Sequence, residues 1–177
     1  MPETLVLRRP GANEEDEFMR AHRATTPDVP NFLHYYDEGM AFTRYLERLD
    51  ERERGVNLPP NHVPSTFLFA FKDDRIVGRV SIRHTLNDVL LRVGGHIGYA
   101  VVPEFRRQGH ATAILRLAVQ FARDRLGLDR VLVTCDADNT GSIRTIEKNG
   151  GVLEDVASGP DLDRPKRRYW IDARRGA

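Results

Sequence analysis

The chain reads Val101-Val102-Pro103-Glu104-Phe105-Arg106-Arg107-Gln108-Gly109-His110-Ala111-Thr112 at its most informative point. This stretch predicts the end of a strand, a basic loop and the first turn of a helix. A helix start leaves several backbone N–H groups unpaired and carries about half a positive charge. Gly109 and the small Ala111 let an anion approach the backbone, and Arg106 and Arg107 add full charges. We interpret the stretch as an anion site suited to phosphate.

Two better-known phosphate motifs do not fit this stretch. No Gly-Lys-Ser or Gly-Lys-Thr follows, which excludes a P-loop, and the glycine spacing of a dinucleotide fingerprint is missing. Taken by itself, the stretch is also compatible with an ordinary strand-to-helix loop whose arginines are solvated. The elements and motifs around it therefore decide between the two interpretations.

The elements around the stretch predict a strand–helix–strand unit. The strand Gly94–Val102 comes before the loop, and the helix Arg107–Leu126 follows it. Gly127 is the residue type that commonly follows a helix C-terminus. Arg130–Cys135 is a nearly continuous apolar run, which is typical of a buried parallel strand. Two strands joined by a crossover helix predict one parallel pair.

The rest of the chain predicts an α/β fold with a mixed, mainly antiparallel sheet flanked by helices. The other predicted strands are Thr4–Arg8, Thr66–Phe71, Ile76–His84, Val152–Val156 and Arg167–Asp172. The other predicted helices are Asn13–Ala24 with Asn13 as N-cap, Asp37–Arg54, and Thr140–Lys148. The long helix is predicted to bury Ile114, Leu115, Ala118, Phe121 and Ala122.

The composition is that of an ordinary one-domain globular protein. The 177 residues are 40% hydrophobic and 30% charged, and the formal net charge is +1. This balance gives no reason to expect nucleic acid or an anionic membrane as a partner. The one cysteine, Cys135, cannot form an intrachain disulfide, and no apolar run indicates a signal peptide or a membrane span, so we expect a cytoplasmic location. The histidines lack metal-ligand spacing, so we expect no metal.

Three blocks, in order, resemble the GNAT superfamily of N-acetyltransferases. Arg106–Ala111 resembles the R/Q-x-x-G-x-G/A motif, and Gly95–Pro103 resembles the family's fourth strand. Asn139–Ser142 and Glu147–Gly151 resemble its second conserved block. The runs Gly94–Tyr99, Val133–Asp136 and Arg168–Ile171 are similar to those of a subgroup of predicted acetyltransferases.

The resemblance implies one GNAT domain over residues 1–177, in which 1–64 form an acceptor-side helical segment and 65–172 form the core sheet and the acyl-CoA site. It implies that acetyl-CoA is the cosubstrate and that a primary amine of a small molecule or peptide takes the acetyl group by direct attack. Homodimers are common in families resembling this one, so a homodimer is an expected assembly. The alternative hypothesis is a non-catalytic acyl-CoA-binding sensor or interaction module.

The resemblance also implies which residues hold acetyl-CoA. The pantetheine arm is expected between the fourth and fifth strands, paired with backbone groups of Ala100, Val101 and Val102, with an N–H near Ala100 or Val101 facing the thioester carbonyl. Asn139 is expected on the pantetheine or adenosine side, and Ser142 is also expected to bind the cofactor. The loop and helix residues expected around the pyrophosphate are Arg106, Arg107, Gln108, Gly109, His110, Ala111 and Thr112.

The catalytic groups are less well marked by the sequence. His96 stands where some family members carry a catalytic glutamate, so it is a candidate general base, and the alternative is a histidine bonded to neighbouring backbone. Many members use a tyrosine as the acid for the leaving sulfur, and this chain has Ile146 at that position. Tyr99, Tyr169 and Ser142 are the candidate substitutes, and the sensor hypothesis depends mainly on Ile146.

Overall fold

The computed structural model describes residues 5–174 and contains one seven-stranded sheet in the order β1-β2-β3-β4-β5-β7-β6. The strands are β1 Val6–Arg8, β2 Ser65–Lys72, β3 Arg75–Arg83, β4 Ile97–Val101, β5 Arg130–Asp136, β6 Val152–Ala157 and β7 Lys166–Asp172. The helices are α1 Glu15–Thr25, α2 Phe42–Glu53, α3 His110–Leu126 and α4 Thr140–Lys148, with a π-turn at Leu90–Gly94 and a 3₁₀ turn at Pro103–Phe105.

The sheet is mixed and mainly antiparallel, as the element order predicts. All neighbouring strands are antiparallel except β4 and β5, which are parallel and are connected through α3. Their parallel ladder consists of the single register pair Ile97 and Val133. The predicted parallel pair is therefore confirmed, and beyond it β4 and β5 separate and leave a gap.

Helices cover both faces of the sheet, and each face has its own core. On one face, α3 and α4 pack on aliphatic residues such as Val80, Ile97 and Val133. On the other face, α1 and α2 pack on an aromatic cluster that includes Phe18 and Phe69. Because both faces are covered, β2 and β3 are buried along nearly their whole length.

Several boundaries and core positions differ from the prediction. The helix predicted from Asp37 begins only at Phe42. The helix predicted from Asn13 begins after Glu14, whose carboxylate binds Arg8 at 2.7 Å and the Gly11 N–H at 2.6 Å. Of the predicted core face of α3, Phe121 is only half-buried, and Val119 is buried beside the other four. Thr4 lies outside the described residues.

Candidate active site

The loop before α3 forms a cradle of backbone N–H groups, which we call the amide cradle (residues 107–112). Arg107 has a φ of 62° and Gly109 a φ of 85°, and left-handed residues of this kind turn successive N–H groups toward one side. No N–H of the amide cradle donates a hydrogen bond to residues 5–174, and bonding within α3 begins with Ala113, which donates to the Gly109 carbonyl at 3.2 Å. The positive end of the helix dipole acts at the same place.

The arginines of this loop differ in their surroundings. The Arg106 guanidinium donates to the carboxylate of Asp28 at 2.6 Å and to the Val101 carbonyl at 3.2 Å. Arg107 is exposed. The positive character of the amide cradle therefore comes from its backbone and from Arg107, while the charge of Arg106 is compensated within the protein.

The separation of β4 from β5 leaves one edge of β4 without a partner strand. Residues of an antiparallel ladder alternate in the direction of their backbone groups. Val102 donates its N–H to the Val77 carbonyl of β3 at 2.9 Å. By this alternation Ala100 also faces β3, while Tyr99 and Val101 direct their backbone groups into the gap.

This register corrects one expectation from the sequence. Of Ala100, Val101 and Val102, only Val101 directs its backbone groups into the gap between β4 and β5, because the ladder with β3 uses those of the other two. The Val101 carbonyl also accepts a hydrogen bond from the Arg106 Nε, at 3.2 Å. Tyr99 offers the second set of backbone groups. The sequence could not reveal this alternation, since it depends on which residues of β3 lie opposite.

A cleft of about 630 Å³ connects the amide cradle to the gap. Ten predicted residues line it: Tyr99, Ala100, Val101, Arg106, Arg107, Gly109, Ala111, Thr112, Asn139 and Ser142. Asn139 is the N-cap of α4, since its Oδ1 accepts the Ser142 N–H at 3.0 Å. Val102, Gln108 and His110 lie off the cleft lining: Val102 is buried in the aromatic core, Gln108 bonds the Glu104 carbonyl, and His110 packs on Phe105.

The hydroxyl of Tyr99 points into the α4 side of this cleft. It is buried, and it lacks a well-formed hydrogen bond to any of residues 5–174, although the hydroxyls of Ser142 and Thr145 lie near it. Burial raises the pKa of Tyr99 to about 12, against the opposing effect of these two hydroxyls. The phenol is therefore protonated at working pH and can act as a hydrogen-bond donor.

His96 joins β4 to β5 just before the parallel pair. Its backbone N–H donates to the Leu132 carbonyl at 2.7 Å, and its ring Nδ1 accepts the Leu132 N–H at 2.9 Å. The side chain is buried beside Trp170, and burial, reinforced by the charge of Arg83, lowers the pKa of His96 to about 4. Because Nδ1 accepts a hydrogen bond, the proton of the neutral ring is on Nε2.

A second cavity, of about 450 Å³, lies on the opposite face of the sheet, and we call it the β3 cavity. Its lining includes Asn31, His34, Tyr35, Tyr36, Ser81 and Arg83. Ser81 is the register partner of Gly98, where β4 leaves β5. The β3 cavity therefore approaches the gap from the side opposite to the cleft.

The comparisons with known proteins agree with this geometry. Residues 4–152 match a family model described as "Acetyltransferase (GNAT) domain". The chain belongs to the GNAT acetyltransferase family. As the resemblance implied, its sheet and helices have the GNAT arrangement, in which the amide cradle and the gap beside β4 occupy one cleft.

Individual GNAT relatives are distant in sequence. The chain is 31% identical over 115 residues to "Probable N-acetyltransferase YjcK" of Bacillus subtilis (strain 168), an alignment that spans 65% of this chain and 58% of that protein. RimJ of Mycobacterium smegmatis in complex with CoA-disulfide has a TM-score of 0.69 at 18% identity, with 96% of this chain and 82% of RimJ covered. A GNAT acetyltransferase from Bacillus anthracis has a TM-score of 0.63 at 19% identity, with 97% and 96% covered.

Ile146 occupies the position at which many GNAT members carry a tyrosine, and the structure shows its surroundings. It is fully buried in the aliphatic core and contacts the chain at Gly151, where a Cβ would lie 2.4 Å from its side chain. Tyr169, another candidate acid, is also fully buried, and its hydroxyl donates to Glu147 at 3.3 Å. Of the candidate substitutes, Tyr99 and Ser142 line the cleft and Tyr169 does not.

The polar residues on the cavity side of β3 were not predicted from the sequence. Arg79, Ser81 and Arg83 alternate with the apolar Val80 and Ile82 in β3, and they all face the α1–α2 side. A strand buried on both faces would carry apolar residues at all these positions. The alternation of polar and apolar residues in β3 could therefore have indicated a polar site. The segment that covers this face of β3 could not have been predicted from the sequence.

The described part of the chain, residues 5–174, contains neither a helix suited to crossing a membrane nor a cluster suited to holding a metal ion. None of its helices combines the length and the apolar character that crossing a membrane requires. Nor do residues 5–174 bring together three or more histidine, cysteine, aspartate or glutamate side chains in a group that could hold a metal ion.

Proposed function

We propose that this protein is an acetyl-CoA-dependent N-acetyltransferase that passes an acetyl group to a primary amine by direct attack. The observation that carries the proposal is the row of unpaired N–H groups in the amide cradle, which opens onto the same cleft as the free edge of β4. Unpaired backbone N–H groups at a helix start suit a pyrophosphate, and a free strand edge suits an extended arm containing amides.

The cleft residues fit acetyl-CoA in a specific order. We assign the pyrophosphate to the amide cradle and the pantetheine arm to the backbone groups of Tyr99 and Val101. A backbone N–H of this edge then faces the thioester carbonyl, where a prepositioned donor to the developing oxyanion contributes about 3 kcal/mol. Asn139 keeps its side-chain N–H₂ available for the arm, because only its oxygen is used as the cap of α4.

Calorimetric titration with acetyl-CoA tests the cofactor assignment, and thiol release in the presence of an amine panel tests the transfer. We expect micromolar binding and amine-dependent release of free coenzyme A. No binding up to millimolar acetyl-CoA would refute the assignment of the cleft.

A second candidate function is favoured by Ile146. A protein that binds acetyl-CoA in this cleft without a functioning acid for the sulfur would serve as a sensor or interaction module. Such a protein would bind acetyl-CoA as tightly as an enzyme does, yet it would release no thiol with any amine of the panel. The two functions are therefore separated by the second of the two measurements.

Tyr99 is the residue we assign as hydrogen-bond donor to the leaving sulfur. Tyr99 lines the cleft, and its hydroxyl is buried, protonated and without a well-formed hydrogen bond to the described residues. We expect Tyr99→Phe to lower kcat by about 10- to 100-fold, in the range of general acid catalysis, with little change in the affinity for acetyl-CoA. Steady-state kinetics with titration calorimetry measures both quantities.

Tyr169→Phe is the matched control for Tyr99→Phe. It removes a buried hydroxyl from the same face of the sheet, but one that is bonded to Glu147 and lies off the cleft lining. We expect its kcat to stay within about threefold of the wild type, below the range of acid catalysis. An unchanged kcat in Tyr99→Phe, or a greater loss in Tyr169→Phe, would remove Tyr99 from this role.

We propose that His96 is a positioning residue. The lone pair that a general base would use lies on Nδ1, which already accepts the Leu132 N–H. Since Asn can accept this hydrogen bond without titrating, we expect His96→Asn to keep kcat within about tenfold, short of the usual contribution of a general base. A loss of several orders of magnitude with unchanged acetyl-CoA binding would instead identify His96 as the base.

The same variant makes a prediction about acid stability. Because burial lowers the pKa of His96 from 6.5 to about 4, the unfolded chain binds a proton in this window that the folded chain does not. The contribution of the neutral His96 to the free energy of unfolding is therefore fully present above pH 6.5 and is lost as the pH falls toward 4. Between pH 7 and 4.5 we expect the wild type to lose about 2 kcal/mol more than His96→Asn in urea unfolding. Parallel losses would contradict the assignment.

The setting we propose is the cytoplasm, with an amine and acetyl-CoA as the ligands and a homodimer as the assembly. The one cysteine of the sequence is buried and unpaired, which is compatible with a reducing compartment. Light scattering of the purified protein would distinguish a dimer from a monomer.

A further inference from the structure

Arg83 lines the β3 cavity, and Arg79 lies four positions earlier on the same side of β3; neither has a carboxylate partner among residues 5–174. Arg79 is 6% exposed and donates only to carbonyl groups, those of Phe32 at 3.0 Å, Gly98 at 3.3 Å and Asn31 at 3.3 Å. Arg83 donates through Nη1 to two further carbonyls, and its Nε and Nη2 donate to none of the described residues. Both guanidinium groups are therefore charges without a compensating anion.

Many other arginines of the described residues have a carboxylate partner. Arg20, Arg106 and Arg168, for example, each form ion pairs with carboxylates. Asp37 is the acidic residue on the lining of the β3 cavity, and its exposed carboxylate binds Arg48. Removing a cation from water without an anion costs free energy, so Arg83, which lines the cavity and has unused N–H donors, is expected to serve a ligand.

The charges of the titratable groups around the β3 cavity favour an anionic ligand. Burial lowers the pKa of Arg79 to about 10, which is above neutral pH, and burial also lowers the pKa of Arg83. Burial, followed by the charges of Arg79 and Arg83, lowers the pKa of His34 to about 3, so this ring is neutral. The cavity is thus positive, and a cationic polyamine is a poor match for it.

Arg83 also lies close to the place of transfer. A Cβ built on Gly98 would have the Arg83 Nη1 as its nearest atom, at 4.0 Å. Gly98 is the residue at which β4 leaves β5, beside the backbone edge to which we assign the pantetheine arm. A ligand held by Arg83 therefore sits against the end of the gap where the thioester is expected.

We infer that the acceptor is a small primary amine that carries an anionic group, a carboxylate, which binds the Nε and Nη2 of Arg83. These two N–H donors form the fork that receives a carboxylate in a bidentate manner. The rings of His34, Tyr35 and Tyr36 line the remaining space, and about 450 Å³ accommodates a molecule of amino-acid size. The inference rests on the proposed transferase function and specifies its substrate class.

The test compares acceptors that differ only in the anionic group. Wild-type protein and acetyl-CoA are mixed with amino acids bearing aromatic and aliphatic side chains, with their carboxamides and methyl esters, with the corresponding aminophosphonates, and with spermidine. We expect kcat/KM for the free acids to exceed that for the matched carboxamides by at least about tenfold, as a charge-assisted fork requires. A larger value for the aminophosphonates would identify phosphate as the anion, and equal or greater values for carboxamides or spermidine would overturn the inference.

Arg83→Met then tests the residue. This variant keeps the length of the side chain and loses the charge, so the ratio of kcat/KM for acid over carboxamide should fall toward one, and Arg83→Lys should restore part of it. Arg116→Met, on the exposed face of α3, is the control and should keep the wild-type ratio. If the ratio survives in a folded Arg83→Met protein, another group binds the anion and the assignment is wrong.

The outcomes separate this inference from the proposed function. If the protein does not bind acetyl-CoA, the proposed function is refuted but the inference about the β3 cavity is not. The cavity is then tested separately by calorimetric titration with the free acids and the matched carboxamides. If acetyl-CoA binds and spermidine or a carboxamide is the best acceptor, transfer stands and the inference fails. If neither acids nor carboxamides bind, with or without coenzyme A, the inference also fails.

Discussion

Gly109→Glu is expected to raise the dissociation constant for acetyl-CoA by at least about 100-fold, or about 2.7 kcal/mol. Gly109 has a φ of 85°, and a Cβ at this position would meet nothing within 4 Å, so the longer side chain is free to extend over the amide cradle. Its carboxylate can accept the N–H groups that would bind the pyrophosphate, and like charges about 4 Å apart repel by about 4 kcal/mol near a protein surface. Titration calorimetry measures the effect.

Gly127→Glu is the control for this substitution. Gly127 lies at the other end of α3, also has a positive φ of 66°, and has nothing within 4 Å of a Cβ. The variant therefore adds the same charge under comparable backbone strain, away from the cradle, and acetyl-CoA affinity should stay within about threefold, less than 1 kcal/mol. Equal weakening by both variants would mean that the cradle does not hold the pyrophosphate.

Gly95→Ala is expected to lower the free energy of unfolding by about 3 kcal/mol or more. Gly95 has φ 64° and ψ −177°, a region open essentially to glycine alone. A Cβ there would lie 2.6 Å from the Leu132 carbonyl oxygen of β5, which the backbone cannot relieve without moving the strands apart. Urea unfolding of the variant and the wild type measures the loss.

The matched comparison for Gly95→Ala is Gly127→Ala. Its φ is nearly the same, its ψ of 25° is the ordinary left-handed conformation, and its Cβ would be in open space. We expect a loss of about 1 kcal/mol there. Similar losses at the two positions would show that the close approach of β4 and β5 at Leu132 is not a constraint on the fold.

The order and type of the elements around the cleft could be predicted from sequence because local signals agree there. The basic glycine loop, the apolar run of β5 and Gly127 after α3 each have a short-range cause, and the predicted α4, Thr140–Lys148, has the observed bounds. The family resemblance over the same residues is confirmed. In this half of the molecule the local sequence signals and the fold favour the same structure, so its elements could be predicted from the sequence.

The rest depended on contacts between distant residues. Whether Ala100 or Tyr99 faces the gap is decided by the register with β3, and whether His96 has a free lone pair is decided by Leu132 on another strand. The β3 cavity forms only when the segment around His34 folds over Arg83, 49 positions along the chain. None of these relations leaves a periodic pattern in the sequence.

The burial of Cys135 has a practical consequence for measuring turnover. The side chain is 8% exposed, and burial raises the pKa of its thiol to about 11. At pH 7.5 the reactive thiolate is then roughly one molecule in 3,000. Because the chain has no other cysteine, a thiol-reactive dye added to the native protein has a nearly silent background, and continuous colour development reports released coenzyme A alone.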